Sequence, residues 1–174
     1  MTVRVATDTD WPAIREVHRQ AFGDAEGDRV VRLVDELRAD ASLYVPELSF
    51  VSVSDDPVTG DVVAGHVMNT WNLVGDTPVL QLSPLGVLPE HQGQGHGSAL
   101  ARASVDAVRA LGEPALLVEG NPAYYGRFGF VRADELGLLP PPEALHDSAV
   151  QVAVFDEARL PRGRIVYAPP FRHS

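Results

Sequence analysis

The 174-residue chain contains no cysteine. That excludes disulfides, thiolate metal sites and a cysteine nucleophile, so any covalent catalysis would have to use an oxygen or nitrogen. It has no run of eighteen apolar residues, and residues 1–7 lack the hydrophobic core of a secretory signal; no membrane span is expected, and a cytoplasmic location is. Basic residues are outnumbered, 14 Lys plus Arg against 24 Asp plus Glu, for a net charge of −10. This balance argues against a nucleic-acid partner and favours cationic or neutral ligands. Repeats, linkers and low-complexity tracts are missing, as are the Gly-Lys-Ser/Thr of a nucleotide loop and the G-x-G-x-x-G dinucleotide spacing.

What is present fits a single domain over residues 1–174, 45% apolar and long enough to bury a substantial core. Residues 3–6 read as a first strand. Thr9 and Asp10 ahead of Trp11-Pro12 offer capping oxygens, and Ile14, Val17 and Ala21 repeat at helical spacing. Residues 22–27 break that helix in a small acidic loop holding Asp24 and Glu26, before Val30, Val31, Leu33, Val34 and Leu37 mark a second helix. Residues 48–54 and 62–74 form a hairpin about a turn at 55–60. A second turn at 75–78 returns the chain into a strand over 79–88, where Pro84 cannot donate to a ladder, so a bulge or a parting from a neighbour is expected. A helix over 98–111 ends at Gly112, and the apolar run 115–118 suits a buried strand parallel to the strand before the helix. Asn121-Pro122 opens a short helix that Gly126 and Gly129 confine. Residues 137–142 read as a loop, 149–155 as a sixth strand and 163–167 as a seventh. The class is α/β (α+β), with a mixed central sheet of six or seven strands flanked by helices.

The most informative stretch is 81–98. An apolar strand runs into Gln92-Gly-Gln-Gly-His-Gly-Ser98, where glycines at 93, 95 and 97 remove every second side chain directly before a helix. Backbone N–H groups of such a loop can approach a diphosphate closely, and the helix adds its unpaired first-turn N–H groups and the positive end of its dipole. Each charge-assisted bond is worth roughly 1.5–3 kcal/mol, so three or four suffice without a lysine in the loop. His91 and His96 flank the loop as candidates for phosphate or solvent contact; without a His-x-x-x-His pair, no metal site is expected.

Leu85, Val87, Pro89, Gln92, Gly95 and Gly97 resemble, without gaps, the acetyl-CoA signature of the GNAT superfamily of N-acetyltransferases, Leu-x-Val-x-Pro followed by Gln/Arg-x-x-Gly-x-Gly/Ala. A second segment, Asn121-Pro-Ala-Tyr-Tyr-Gly-Arg-Phe-Gly-Phe130, is similar to that family's Asn-x-x-Ala-x-x-Phe-Tyr-x-Lys-x-Gly-Phe, shortened before the aromatic pair, with Tyr125, Gly129 and Phe130 matching. The resemblance implies a mixed, mostly antiparallel GNAT-like sheet with a βαβ unit for acetyl-CoA. It also implies transfer of an acetyl group to a primary amine through a tetrahedral intermediate, with dimers common among such proteins. By the same resemblance the pantetheine lies where the strands part. The implied cofactor contacts are Leu85, Gly86 and Val87 on the strand, Gln92, Gly93, Gln94, Gly95, His96, Gly97 and Ser98 on the loop, and Asn121 and Tyr124 beyond. Nothing selects the acceptor, a small molecule or a protein or peptide. A module that holds coenzyme A without turning it over is the alternative reading.

An amine with a pKa of about 10.4 is mostly protonated at pH 7, so a base or water relay is needed. By resemblance Tyr125 is the general acid. The base position of histone-type members falls on Gln81, which cannot accept the proton; His66, Glu119, Glu47 and the acidic loop are the candidates, His66 being taken with Tyr125 as the catalytic set.

Overall fold

A computed structural model describes residues 1–172. Among these, nine strands join one sheet: β1 Thr2–Val5, β2 Tyr44–Asp56, β3 Gly60–Val74, β4 Thr77–Val87, β5 Ala115–Glu119, β6 Val131–Arg132, β7 Leu138–Leu139, β8 Val150–Val154 and β9 Gly163–Val166. The spatial order is β1-β2-β3-β4-β5-β8-β6; β9 pairs with the end of β3, and β7 with β9. β4–β5 and β7–β9 are parallel, the other pairs antiparallel. Seven strands were anticipated at most, because β6 and β7 are two residues long and carry no alternation; β7 lies in the expected loop at 137–142.

Helices α1 Trp11–Phe22 and α2 Asp24–Ala39 cover one face, and α3 His96–Ala110 the other; α4 Pro122–Tyr125 and α5 Pro169–Arg172 are single turns. Period-two alternation sends side chains to the two layers. Phe50 and Val67 pack with Leu100, Ala101 and Val105 of α3, whereas their neighbours Val51 and Met68 pack with Trp11, Ile14, Val34 and Leu37. Fully burying a side chain such as Val67, Met68, Ile14 or Leu37 contributes about 1.5–3 kcal/mol. No helix among the described residues is long and apolar enough to cross a membrane.

The expected acidic loop does not form. Gly23 at φ +69° and Asp24 at φ +42° turn the chain, so Asp24 and Glu26 lie in the first turn of α2, where carboxylates suit the positive helix end. Gly27 serves a different purpose from a loop glycine. A Cβ there would strike the backbone of Arg19, so its absence lets α1 and α2 approach closely. Asp10 anchors the start of α1: its carboxylate takes both guanidinium branches of Arg4 at 2.7 and 2.9 Å and the Thr7 N–H at 2.8 Å.

Candidate active site

β4 and β5 pair only from Leu80–Leu116 to Leu82–Val118 and then separate. Pro84, lacking an N–H, follows immediately, and the β3–β4 register shifts between Val67/Leu85 and Asn69/Leu82. The bulge and the parting expected from Pro84 are both present. On the far side of β4 the ladder is intact, with Leu88 N–H donating to Ala64 O at 2.8 Å. Antiparallel pairs alternate between bonded and non-bonded, so Gly86–His66 is a bonded pair, while Leu85 and Val87 turn their N–H and C=O groups away from β3 into the opening.

The strand leads into the glycine loop. Gly93 and Gly95 have φ of +75° and +92°, and Gly95 is the N-cap of α3, which starts at His96 rather than at Ser98. Gln92 closes the loop on itself, its Nε2 donating to Val87 O at 3.1 Å. The N–H groups of His96, Gly97 and Ser98 occupy the first helical turn, without intrahelical acceptors. The bare Cα of Gly97 leaves room for the Tyr124 hydroxyl, which a Cβ there would approach to 2.7 Å and displace. A cavity of about 580 Å³ opens here, lined by ten of the twelve expected cofactor contacts: Leu85, Gly86, Val87, Gln92, Gly93, Gly95, His96, Gly97, Ser98 and Tyr124. The Nδ1 atoms of His91 and His96 are buried without a protein partner beside it, and burial lowers the His96 pKa. The groups present, free amides, a Cβ-free cradle and unpartnered ring nitrogens, suit a diphosphate.

Arg127 was missed. It is the one cationic side chain lining this cavity, held by Nη2 to Ser98 Oγ at 3.3 Å, Nε to Tyr124 O at 3.2 Å, and its stack over the Tyr124 ring. Its place two residues before the left-handed Gly129, within the Asn121–Phe130 motif, carried no charge pattern to single it out.

A second cavity, about 500 Å³, adjoins the first and is lined by Tyr125, Gln81, Glu119 and Tyr167 among others. Phe22 and Leu85 line both cavities and form the seam between them. Burial raises the Tyr125 pKa to about 12. Glu119, at the end of β5, is half-buried; desolvation raises its pKa, opposed by hydrogen bonds from the Tyr167 hydroxyl, 3.5 Å away, and from the Leu145 backbone. Gln81 is buried and its Oε1 accepts from Asn72 Nδ2, so the base position of histone-type members holds a structural amide.

Other expectations need correction. His66 lines neither cavity. It is fully buried, with Nδ1 2.8 Å from His18 Nε2 and Nε2 2.9 Å from Ser49 Oγ, and burial drives its pKa well below the usual value. A ring so enclosed cannot reach an amine. Glu47 is exposed on β2 and lines neither cavity. Gln94 binds Glu90 O at 3.2 Å outside the glycine-loop cavity, and Asn121 Oδ1 caps α4 by accepting from Ala123 N–H at 2.9 Å. Of the acidic pair, Glu26 lines the second cavity and Asp24 does not.

Comparison with known proteins agrees with this arrangement. A family model described as an acetyltransferase (GNAT) domain matches residues 2–133. The chain is 32% identical over 131 residues to the uncharacterised N-acetyltransferase YjhQ of Escherichia coli, covering 74% of this chain and 68% of that protein. The crystal structure of the GNAT family N-acetyltransferase YhbS from Escherichia coli in complex with CoA superposes with a TM-score of 0.83 at 28% identity, covering 98% of this chain and 91% of the other. A GNAT family acetyltransferase from Brucella melitensis in complex with acetyl-CoA gives 0.76 at 27% identity, covering 98% and 97%.

Proposed function

Because this chain belongs to the GNAT acetyltransferases, we propose that it carries an acetyl group from acetyl-CoA, bound in the glycine-loop cavity, to a primary amine entering the cavity of Tyr125 and Glu119. The observation that carries this reading is the seam: two cavities meet at Phe22 and Leu85 where β4 and β5 part, with anion-binding amides on one side and a proton donor and acceptor on the other. The CoA and acetyl-CoA complexes of the similar structures support the assignment of the first cavity.

Acetyl-CoA supplies an activated acyl carbon on a thiol leaving group. The backbone groups of Leu85 and Val87 that face the opening hold the pantetheine arm as an added strand would, and an N–H there stabilises the oxyanion of the tetrahedral intermediate. Glu119 takes a proton from the acceptor ammonium, directly or through one water; its raised pKa improves it as a base. Tyr125 faces the leaving sulfur. With its pKa at about 12 against about 8.5 for a thiol, full transfer of its proton is uphill by roughly 3.5 units, about 5 kcal/mol. The phenol therefore acts by hydrogen-bonding the departing thiolate, which takes its proton in the end from the newly formed, briefly cationic amide nitrogen.

The test is thiol release from acetyl-CoA with a panel of amines, run beside calorimetry with CoA, ATP and NAD. Amine-dependent thiol release with acetylated product supports the reading. Tight CoA binding with no turnover on any amine supports a sensor that holds the coenzyme, and preference for ATP or NAD removes the cofactor assignment. The sequence has no lysine, so acetyl-lysine found in the reaction comes from the acceptor and not from self-modification.

A further inference from the structure

We propose that the acceptor is an aliphatic diamine or linear polyamine, whose second ammonium group is recognised by Glu143. This deepens the reading above and rests on it. The cavity beyond the seam is a partly open space of about 500 Å³ lined by both polar and apolar side chains, and its charge is one-sided: Glu26, Glu119 and Glu143 line it against a single guanidinium, Arg29. Arg29 is already engaged with Glu26 across one helical turn, which leaves Glu119 and Glu143 to set the potential. Both carboxylates line the cavity with the buried Tyr167, whose hydroxyl lies 3.5 Å from Glu119 Oε1. Glu119 has only neutral hydrogen-bond partners in the Tyr167 hydroxyl and the Leu145 backbone, while Glu143 keeps a loose contact with Arg172 at 3.8 Å between partly exposed side chains.

A ligand matched to these walls carries one amine at Glu119, beside Tyr125 and the seam, and a second cation at Glu143. Between them it needs an apolar chain to lie along Val30, Leu33 and Leu82. A carboxylate on the acceptor, as in a free amino acid, meets two negative charges in the same cavity and is disfavoured. A neutral monoamine fills the apolar wall and forgoes the second ion pair. Glu143 lies on the segment between β7 and β8 and Glu119 at the end of β5, so the two recognition points come from separate segments lining one cavity, and a dependence on chain length follows.

The experiment measures kcat/KM for a series of α,ω-diamines and polyamines, for alkylamines of equal length, for amino acids and for a lysine-containing peptide, on the parent protein and on Glu143→Gln. Glu143 is partly exposed, so the variant is expected to fold, and an unchanged melting temperature and CoA affinity verify that. The expected result is a preference for the best diamine over its monoamine of about ten- to a hundredfold, the worth of one ionic hydrogen bond, collapsing to near parity in Glu143→Gln. Equal rates with mono- and diamines, an unchanged preference in the variant, or a peptide outrunning every diamine each overturns the proposal while leaving the acetyltransferase reading intact. Thiol release with no amine at all, despite CoA binding, would instead strike that underlying reading.

Discussion

The ring of Tyr125 lies directly against Gly120, so closely that a Cβ at position 120 would overlap the ring's Cε2 and approach Cδ2 within 2.9 Å. The end of β5 and the only turn of α4 are thereby locked together, and Glu119, the preceding residue, is presented in the same cavity as the phenol. Hydroxyl and carboxylate positions are coupled through one missing methyl group.

Two substitutions probe this coupling. Tyr125→Phe is expected to lower kcat by about a hundredfold or more, the usual scale for losing a positioned acid, while CoA affinity changes by less than about twofold. Gly120→Ala keeps the hydroxyl but displaces the ring, and is expected to lower kcat in the same direction at a cost of about 1–3 kcal/mol in stability from overpacking. Parent-like rates in both variants would remove Tyr125 from the mechanism.

Glu119→Gln addresses the base through pH. Burial raises the Glu119 pKa above its ordinary 4.5, and the base works only when deprotonated, so kcat/KM of the parent falls as pH drops through an inflection above that value. The glutamine variant is expected to lose this acid limb and about a hundredfold in rate at neutral pH, within the usual range for general-base catalysis. A variant that retains both the rate and the inflection assigns the proton elsewhere.

Gly95→Glu tests the cofactor loop. Position 95 has φ +92°, strained for any side chain, and a carboxylate there opposes the diphosphate. Loss of even one or two charge-assisted bonds weakens CoA binding by about tenfold to several-hundredfold in calorimetry. Unchanged CoA affinity in a folded variant contradicts the loop assignment.

Asp10→Asn concerns stability. The Arg4 guanidinium, with the Thr7 N–H, lowers the Asp10 pKa from 3.8 to about 2. Because the folded value lies below the unfolded one, the stabilisation is complete above about pH 4 and is lost as pH falls through 2. A shift of nearly two units corresponds to about 2 kcal/mol at neutral pH, an upper figure because Arg4 is partly exposed. Denaturant melts should show the variant less stable at pH 7 and closer to the parent near pH 2.

The legibility of the site in the sequence follows the range of the interactions involved. The glycine loop, the Asn121 cap and the parting at Pro84 were readable because each depends on residues a few positions apart. Phe22, Arg127 and Glu143 were not singled out as site residues, since each becomes relevant only after α1, α4 and the segment before β8 meet around β4. His66 misled because a histidine on a strand beside the key strand carries no sign of which face it points to. Its partners, Ser49 and His18, are 17 and 48 residues away.

The sequence by itself determined the strand, glycine loop and helix order, the absence of thiol chemistry, and the family, since these rest on local spacing and composition. Tertiary structure alone decided which carboxylates line the cavity of Tyr125, that Gln81 is a buried structural amide, and that the two cavities meet at Phe22 and Leu85. The reason is physical: desolvation and charge pairing depend on what packs around a side chain, and those neighbours come from distant parts of the chain.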